Sequence, residues 1–244
     1  MNNTTDRAAF RLSATLLLVG QILYVVVTLL HTGGEANDHP AIFAAYAASG
    51  IWTAVHAAQF VCLAIMLAGL FALSFALNGQ NETTSWAARF GAVLAVATLV
   101  LCGVVLAVDG VALKQAVNAW ARAPEAEKAA RFATAEAIRW LEWGTRSYEN
   151  FTLGLAVLAF AVATVRTAPL PRLIGCLMGL SAVTYFVQGW VAGSEGFSHA
   201  QTIAIVLGEV VNAVWMTWLL LIAWRIPAGS GARPGVTRRL WLSL

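Results

Sequence analysis

The sequence predicts an all-α polytopic membrane helical bundle with six transmembrane helices, and three observations carry that prediction. Hydrophobic residues make up 59% of the 244-residue chain and charged residues only 11%, against about 25% charged in an ordinary soluble domain. Mean hydropathy is +0.73; one soluble core of this length does not hide that much apolar surface, so lipid is the solvent that fits. Six apolar segments are each long enough to cross about 30 Å of hydrocarbon at 1.5 Å per residue. Period-two alternation is absent, which argues against a membrane β-barrel.

The expected spans run near 12–31, 51–78, 88–109, 146–166, 170–192 and 201–224. The first is longer than a signal-peptide core and no small-x-small cleavage site follows it, so it reads as a span. Between spans one and two, His31 to Gly50 holds Glu35, Asp38 and His39 without Lys or Arg, and the apolar run Ala41 to Ala48 reads as a short interfacial helix. Beyond span three the helical pattern continues through Leu106, Leu113, Val117 and Trp120. Pro124 suits the first turn of a new helix, and Glu125 and Glu127 complement its N-terminal dipole. The sequence therefore predicts an outer helical hairpin over 110–145 that extends spans three and four. Residues 1–227 form one six-helix transmembrane domain, and 228–244 a cytoplasmic tail.

Orientation follows from Lys and Arg. Both termini and the even-numbered loops hold nine basic residues, among them Arg89, Arg166, Arg172 and Arg225, against Asp6 and Glu82. The opposite side holds six basic residues and ten acids. Both termini are thus expected in the cytoplasm, with the chain in the cell inner membrane. No basic run with interleaved aromatics is present, which argues against a nucleic-acid partner. The partners expected are the lipid bilayer and a small-molecule or lipid ligand; a homo-oligomer would supply extra spans.

Ionisable residues inside spans are costly and usually face a bundle interior or a wet cavity. Helical spacing gives each span one polar stripe. Span one aligns Gln21, Tyr24, Thr28 and His31. Span two aligns His56 and Gln59, and span three Thr98, Cys102 and Asp109. Span four aligns Glu142, Arg146, Glu149 and Asn150. Span five aligns Ser181, Thr184, Tyr185 and Gln188, and span six Thr202, Glu209 and Asn212. His31, His56, Asp109, Glu142, Arg146, Glu149 and Gln188 lie near the outer ends of their spans, with Glu209 deeper. The expectation is a single polar pocket open to the outer face. In it Asp109, Glu142, Glu149 and Glu209 face one certain cation, Arg146, so a protonated acid, a charged histidine or a bound cation must balance the charge. Interhelical hydrogen bonding and structural ion pairing are the plainer explanations of the same residues.

Several chemistries compete. Glu209 and His56 are the candidate catalytic groups for an enzyme acting on a lipid-like substrate. The surplus of acid also suits a proton- or cation-coupled transporter, although neither an internal repeat nor a broken helix is visible. His31, His56, Asp109 and Glu209 are of metal-ligand type, but HxxxH and HExxH spacings are missing. Haem would have to use His31 and His56 without a CxxCH motif. No cofactor is assigned. Cys62, Cys102 and Cys176 lie in apolar runs and read as packing residues.

Asn37-Asp38-His39-Pro40, the run Trp52 to Phe60 containing His56 and Gln59, Asp109 to Lys114, and Arg139 to Gly144 resemble segments of a family of uncharacterised bacterial six-span integral membrane proteins. The resemblance covers most of the chain. It implies a six-helix fold in a bacterial inner membrane and brings no assigned activity.

Overall fold

The computed structural model describes residues 4–225 apart from Gly33, Ala36, Gln80, Ala168 and Pro169; the expected tail at 228–244 lies outside the described residues. Among the described residues every regular element is helical. They are α1 (Thr4–Thr28), α2 (His39–Ala48), α3 (Trp52–Leu77), α4 (Glu82–Ala107), a π-helical turn (Val108–Leu113), α5 (Lys114–Ala121), α6 (Glu125–Val165), α7 (Arg172–Glu195) and α8 (His199–Arg225). Six of the continuous helices are long and apolar enough to cross a membrane. The chain is a multi-pass helical bundle.

Helix ends follow local chemistry. Asp38 caps α2, its carboxylate accepting from the Ala41 amide, with Pro40 in the first turn. Asn81 caps α4 by accepting from the Thr84 amide at 2.9 Å. Gly196 ends the turn after α7 at φ +69°, where a Cβ would also strike the Trp143 indole at 2.5 Å.

The spans form a closed ring in chain order. Each packs chiefly on its sequence neighbours, α1 on α3, α3 on α4, α4 on α6, α6 on α7 and α7 on α8, and α8 returns to α1. With an even number of alternating spans, every neighbour is antiparallel. Close approach uses small residues. Gly20 of α1 faces the Met66 backbone and Gly69 of α3 faces the Leu17 backbone, each at distances a Cβ would violate. Gly175 does the same for α7 against Ala161 and Val165 of α6.

One half of the ring is dry. Phe10, Leu17, Leu73, Leu77, Phe160, Ile174, Met178 and Leu219 fill it, all fully or almost fully buried. The other half is overhung by a helical hairpin. The π turn joins α4 to α5 as one 40-residue rod, Glu82–Ala121, and α6 is 41 residues long. At 1.5 Å per residue each is about 60 Å, roughly twice the hydrocarbon thickness. α2 tucks under this hairpin, packing Ile42, Phe43 and Tyr46 on Trp52, Leu113, Val117 and Ala135. Lys114 secures it by donating to the Tyr46, Ala47 and Ser49 carbonyls at 2.6, 2.9 and 2.8 Å, neutralising the C-terminal end of the α2 dipole.

Candidate functional site

The hairpin half of the ring encloses a cavity of about 340 Å³, within the range of small-molecule sites. It runs from loop residues Thr32, Gly34 and Phe197 down to an apolar floor at Leu63, Met66 and Leu153, with Ile205 on its wall. His31, His56, Gln59, Asp109, Glu142, Arg146, Glu149, Asn150, Gln188 and Glu209 all line it. Asn212 does not. It lies behind the wall, its Nδ2 donating to the Tyr185 hydroxyl at 2.7 Å and its Oδ1 accepting from Trp215 Nε1 at 3.1 Å, so it positions Tyr185.

α6 supplies a ladder of alternating charge. Arg139, Glu142, Arg146 and Glu149 follow at three, four and three residues and so share one helical face. Arg139 donates to Glu142 at 2.6 Å with both side chains almost completely buried, and Arg146 donates to Glu149 at 3.2 Å. Cys102 donates its thiol proton to the other Glu149 oxygen at 3.2 Å. The Arg139 guanidinium also lies 4.7 Å from the Phe197 ring centre and 5.6 Å from that of Tyr46.

Asp109 sits in the π turn. The wider turn leaves the Asp109 carbonyl to accept from Trp52 Nε1 at 3.0 Å and the Gly110 carbonyl to accept from the Thr53 hydroxyl at 2.7 Å. π turns inside α-helices recur at functional sites. Gly110 is needed here for space, since a Cβ would lie 2.5 Å from His56 Cβ. His56 is thereby pressed against Asp109, with Nε2 2.8 Å from Oδ2, while Nδ1 lies 2.7 Å from the Trp52 carbonyl. Both partners of the imidazole are acceptors. The Nδ1 proton goes to Trp52, and the His56–Asp109 contact therefore holds one shared proton and is neutral as a pair.

His31 completes this end. α1 stops at Thr28, but amides of Leu30 and His31 still bond back to Val27 and Thr28 at 3.0 Å, so a tightened turn keeps His31 on the inward face. Its ring centre is 4.6 Å from that of Trp52 and 5.1 Å from that of His56, and its Nδ1 lies 3.0 Å from the Thr32 carbonyl. Burial holds the His31 imidazole below its ordinary pKa and pushes the Tyr46 phenol above its own.

These pairings correct the charge balance expected from sequence. Arg139 is a second buried cation, three residues before Glu142 on the same helical face and outside the stripe expected for span four, which begins at Glu142. Three acids have partners, Asp109 with His56, Glu142 with Arg139 and Glu149 with Arg146. The surplus reduces to Glu209, which accepts from the Gln21 amide and belongs to none of the ion pairs among the described residues. Elsewhere Gln59 donates to Thr28 and Gln188 to the Ala204 carbonyl, the interhelical bonding that sequence also allowed. The four ligand-type residues separate as well. His31, His56 and Asp109 cluster, with ligand atoms within 4.8 Å of one another, and Glu209 stands apart from them.

Comparison with family models, with curated proteins and with solved structures found no match for this chain.

Proposed function

We propose that this multi-pass membrane protein binds a small polar or lipid-like molecule in the cavity between its six spans. The observation that supports this reading best is the charge pattern of the wall. Three acids are internally compensated and one, Glu209, is left deep in the cavity, which Tyr24 and Tyr185 also line. A ligand group that donates hydrogen bonds or carries positive charge satisfies Glu209, with the tyrosine rings adding cation–π attraction. An apolar remainder fits Leu63, Met66, Leu153 and Ile205. If the ligand is transformed, Glu209 and His56 are the groups placed to exchange protons with it. The basic residues at the termini and even loops support an orientation in which the hairpin end, and hence the cavity mouth, faces away from the cytoplasm.

Native mass spectrometry of protein released gently from detergent tests this. The expected result is a retained small molecule that Glu209→Gln loses while the helices stay folded. A preparation that retains nothing, or a variant that retains the same species, removes the proposal. Cysteines placed singly in the hairpin and in the α3–α4 turn test orientation by their access to an impermeant thiol reagent in intact cells.

Glu209 also supports a second reading, a proton- or cation-coupled transporter in which this carboxylate is the coupling group. Uptake in proteoliposomes that responds to a pH gradient and is abolished by Glu209→Gln is the result it requires.

A further inference from the structure

We propose that His31, His56 and Asp109 form a binding site for a divalent first-row transition-metal ion at the hairpin end of the cavity. The three residues come from three elements, the turn after α1, the second turn of α3 and the π turn, and one ligand atom from each lies within 4.8 Å of the others. Ligand atoms sharing an ion at about 2.0–2.2 Å stand roughly 3.4 Å apart in a tetrahedral site. Assembly around a metal therefore needs a closing of little more than an ångström, within reach of side-chain rotation.

Two independent features point to a ligand rather than to packing. The first is the way both imidazoles are held. Each has Nδ1 against a backbone carbonyl, His56 on Trp52 and His31 on Thr32. This fixes the proton on Nδ1 and leaves Nε2 as the coordinating nitrogen, the outer-shell arrangement that orients metal-bound histidines. The second is Asp109. It is 4% exposed, lines the cavity, and its Oδ1 has no hydrogen-bond partner among the described residues. A buried carboxylate oxygen without a donor is costly, and an ion supplies what it lacks. Oδ2 and His56 Nε2 already converge on one shared proton, which a metal ion would displace to solvent.

The donor set defines the ion class. Two imidazoles and one carboxylate suit Zn²⁺, Fe²⁺, Co²⁺ or Ni²⁺ over Mg²⁺ and Ca²⁺, which take oxygen ligands, and the absence of thiolate from the set disfavours Cu⁺. Three protein ligands facing a cavity leave a coordination position for water or for a bound molecule. Arg139, the nearest buried cation, is neutralised by Glu142. The inference rests on the same cavity as the proposed function. It has a separate fate, since protein that retains an organic ligand but takes up no ion in the titration refutes the metal and spares the cavity.

Full-length protein in detergent, stripped with chelator and desalted, is titrated with Co²⁺ and then Zn²⁺. The expected result is a single ion per chain, visible Co²⁺ d–d bands of a nitrogen–oxygen site, and displacement by Zn²⁺. His31→Gln and Asp109→Asn each weaken binding by at least about 100-fold, the upper end of what losing even a supporting partner costs, with circular dichroism and gel filtration as in the wild type. Cys176→Ala removes an exposed thiol and leaves binding unchanged. Wild-type protein that takes up no stoichiometric ion, or folded His31→Gln protein that binds Co²⁺ as the wild type does, overturns the proposal. His31→Gln carries the decision if Asp109→Asn does not fold, because residue 31 lies in a turn outside the helices.

Discussion

The two halves of the ring are built on the same helical stripes and filled with opposite chemistry. On α6 the inward face reads Arg139, Glu142, Glu149 and Asn150, then Leu153, Val157 and Phe160. On α3 it reads His56 and Gln59, then Leu63, Met66 and Leu70; on α1, running the other way, Phe10, Ala14 and Leu17, then Gln21. On these three helices the same face stays inward throughout. Only the residue type changes, and it does so at one level around the ring, since Gly20 beside Met66 and Gly69 beside Leu17 fix the register of α1 on α3. One half thus holds the helices together by dry packing, and the other holds charge that has to be satisfied within the cavity.

That contrast is open to attack from both sides. The largest effect is expected at the Arg139–Glu142 pair. Arg139→Met leaves Glu142 buried without a partner and lowers stability by about 3–5 kcal/mol, while the double substitution with Glu142→Leu recovers most of the loss. Denaturant unfolding in mixed micelles measures both, and a neutral single variant would show the pair to be solvated. In the dry half Phe160→Ala opens a cavity and costs about 3 kcal/mol, yet ligand retained per folded molecule stays the same. Gly110→Ala overpacks His56 and costs about 1–3 kcal/mol, with loss of metal binding larger than the stability change accounts for. Lys114→Met releases the C-terminal carbonyls of α2 at about 1–2 kcal/mol, read as faster hydrogen exchange in 39–48. Smallest in stability is Glu209→Gln, below about 0.5 kcal/mol for an isosteric change outside the packed core. Its signature is loss of the retained ligand.

The sequence reveals the spans and the phase of their stripes, because lipid demands about twenty apolar residues and a helix repeats every 3.6. It also gathers the right side chains into one place, apart from Asn212, whose position on the stripe is correct but whose amide is taken by Tyr185 and Trp215. What it does not reveal is pairing. Arg139 and Glu142 stand three apart in plain view, yet a buried pair and a pair at the headgroups look alike until Tyr46 and Phe197 are seen to cover the guanidinium. The π turn is equally silent, since one residue more per turn leaves no mark in hydropathy. Its presence is what aims Asp109 and the Trp52 and Thr53 bonds together. Helical spacing puts His31 on the face of Thr28, and although α1 ends there the tightened turn carries that face on to the cavity.

The closed ring has a consequence for how the molecule is made. The main contacts up to α7 join a span to the one made just before it, so five spans can assemble as they leave the ribosome. The cavity has no complete wall until the sixth arrives. Gln21 and Glu209, 188 residues apart, meet across that last seam. α1 and α8 thus act as the two sides of a clasp, and the polar chamber comes into being only once the sixth span has been made.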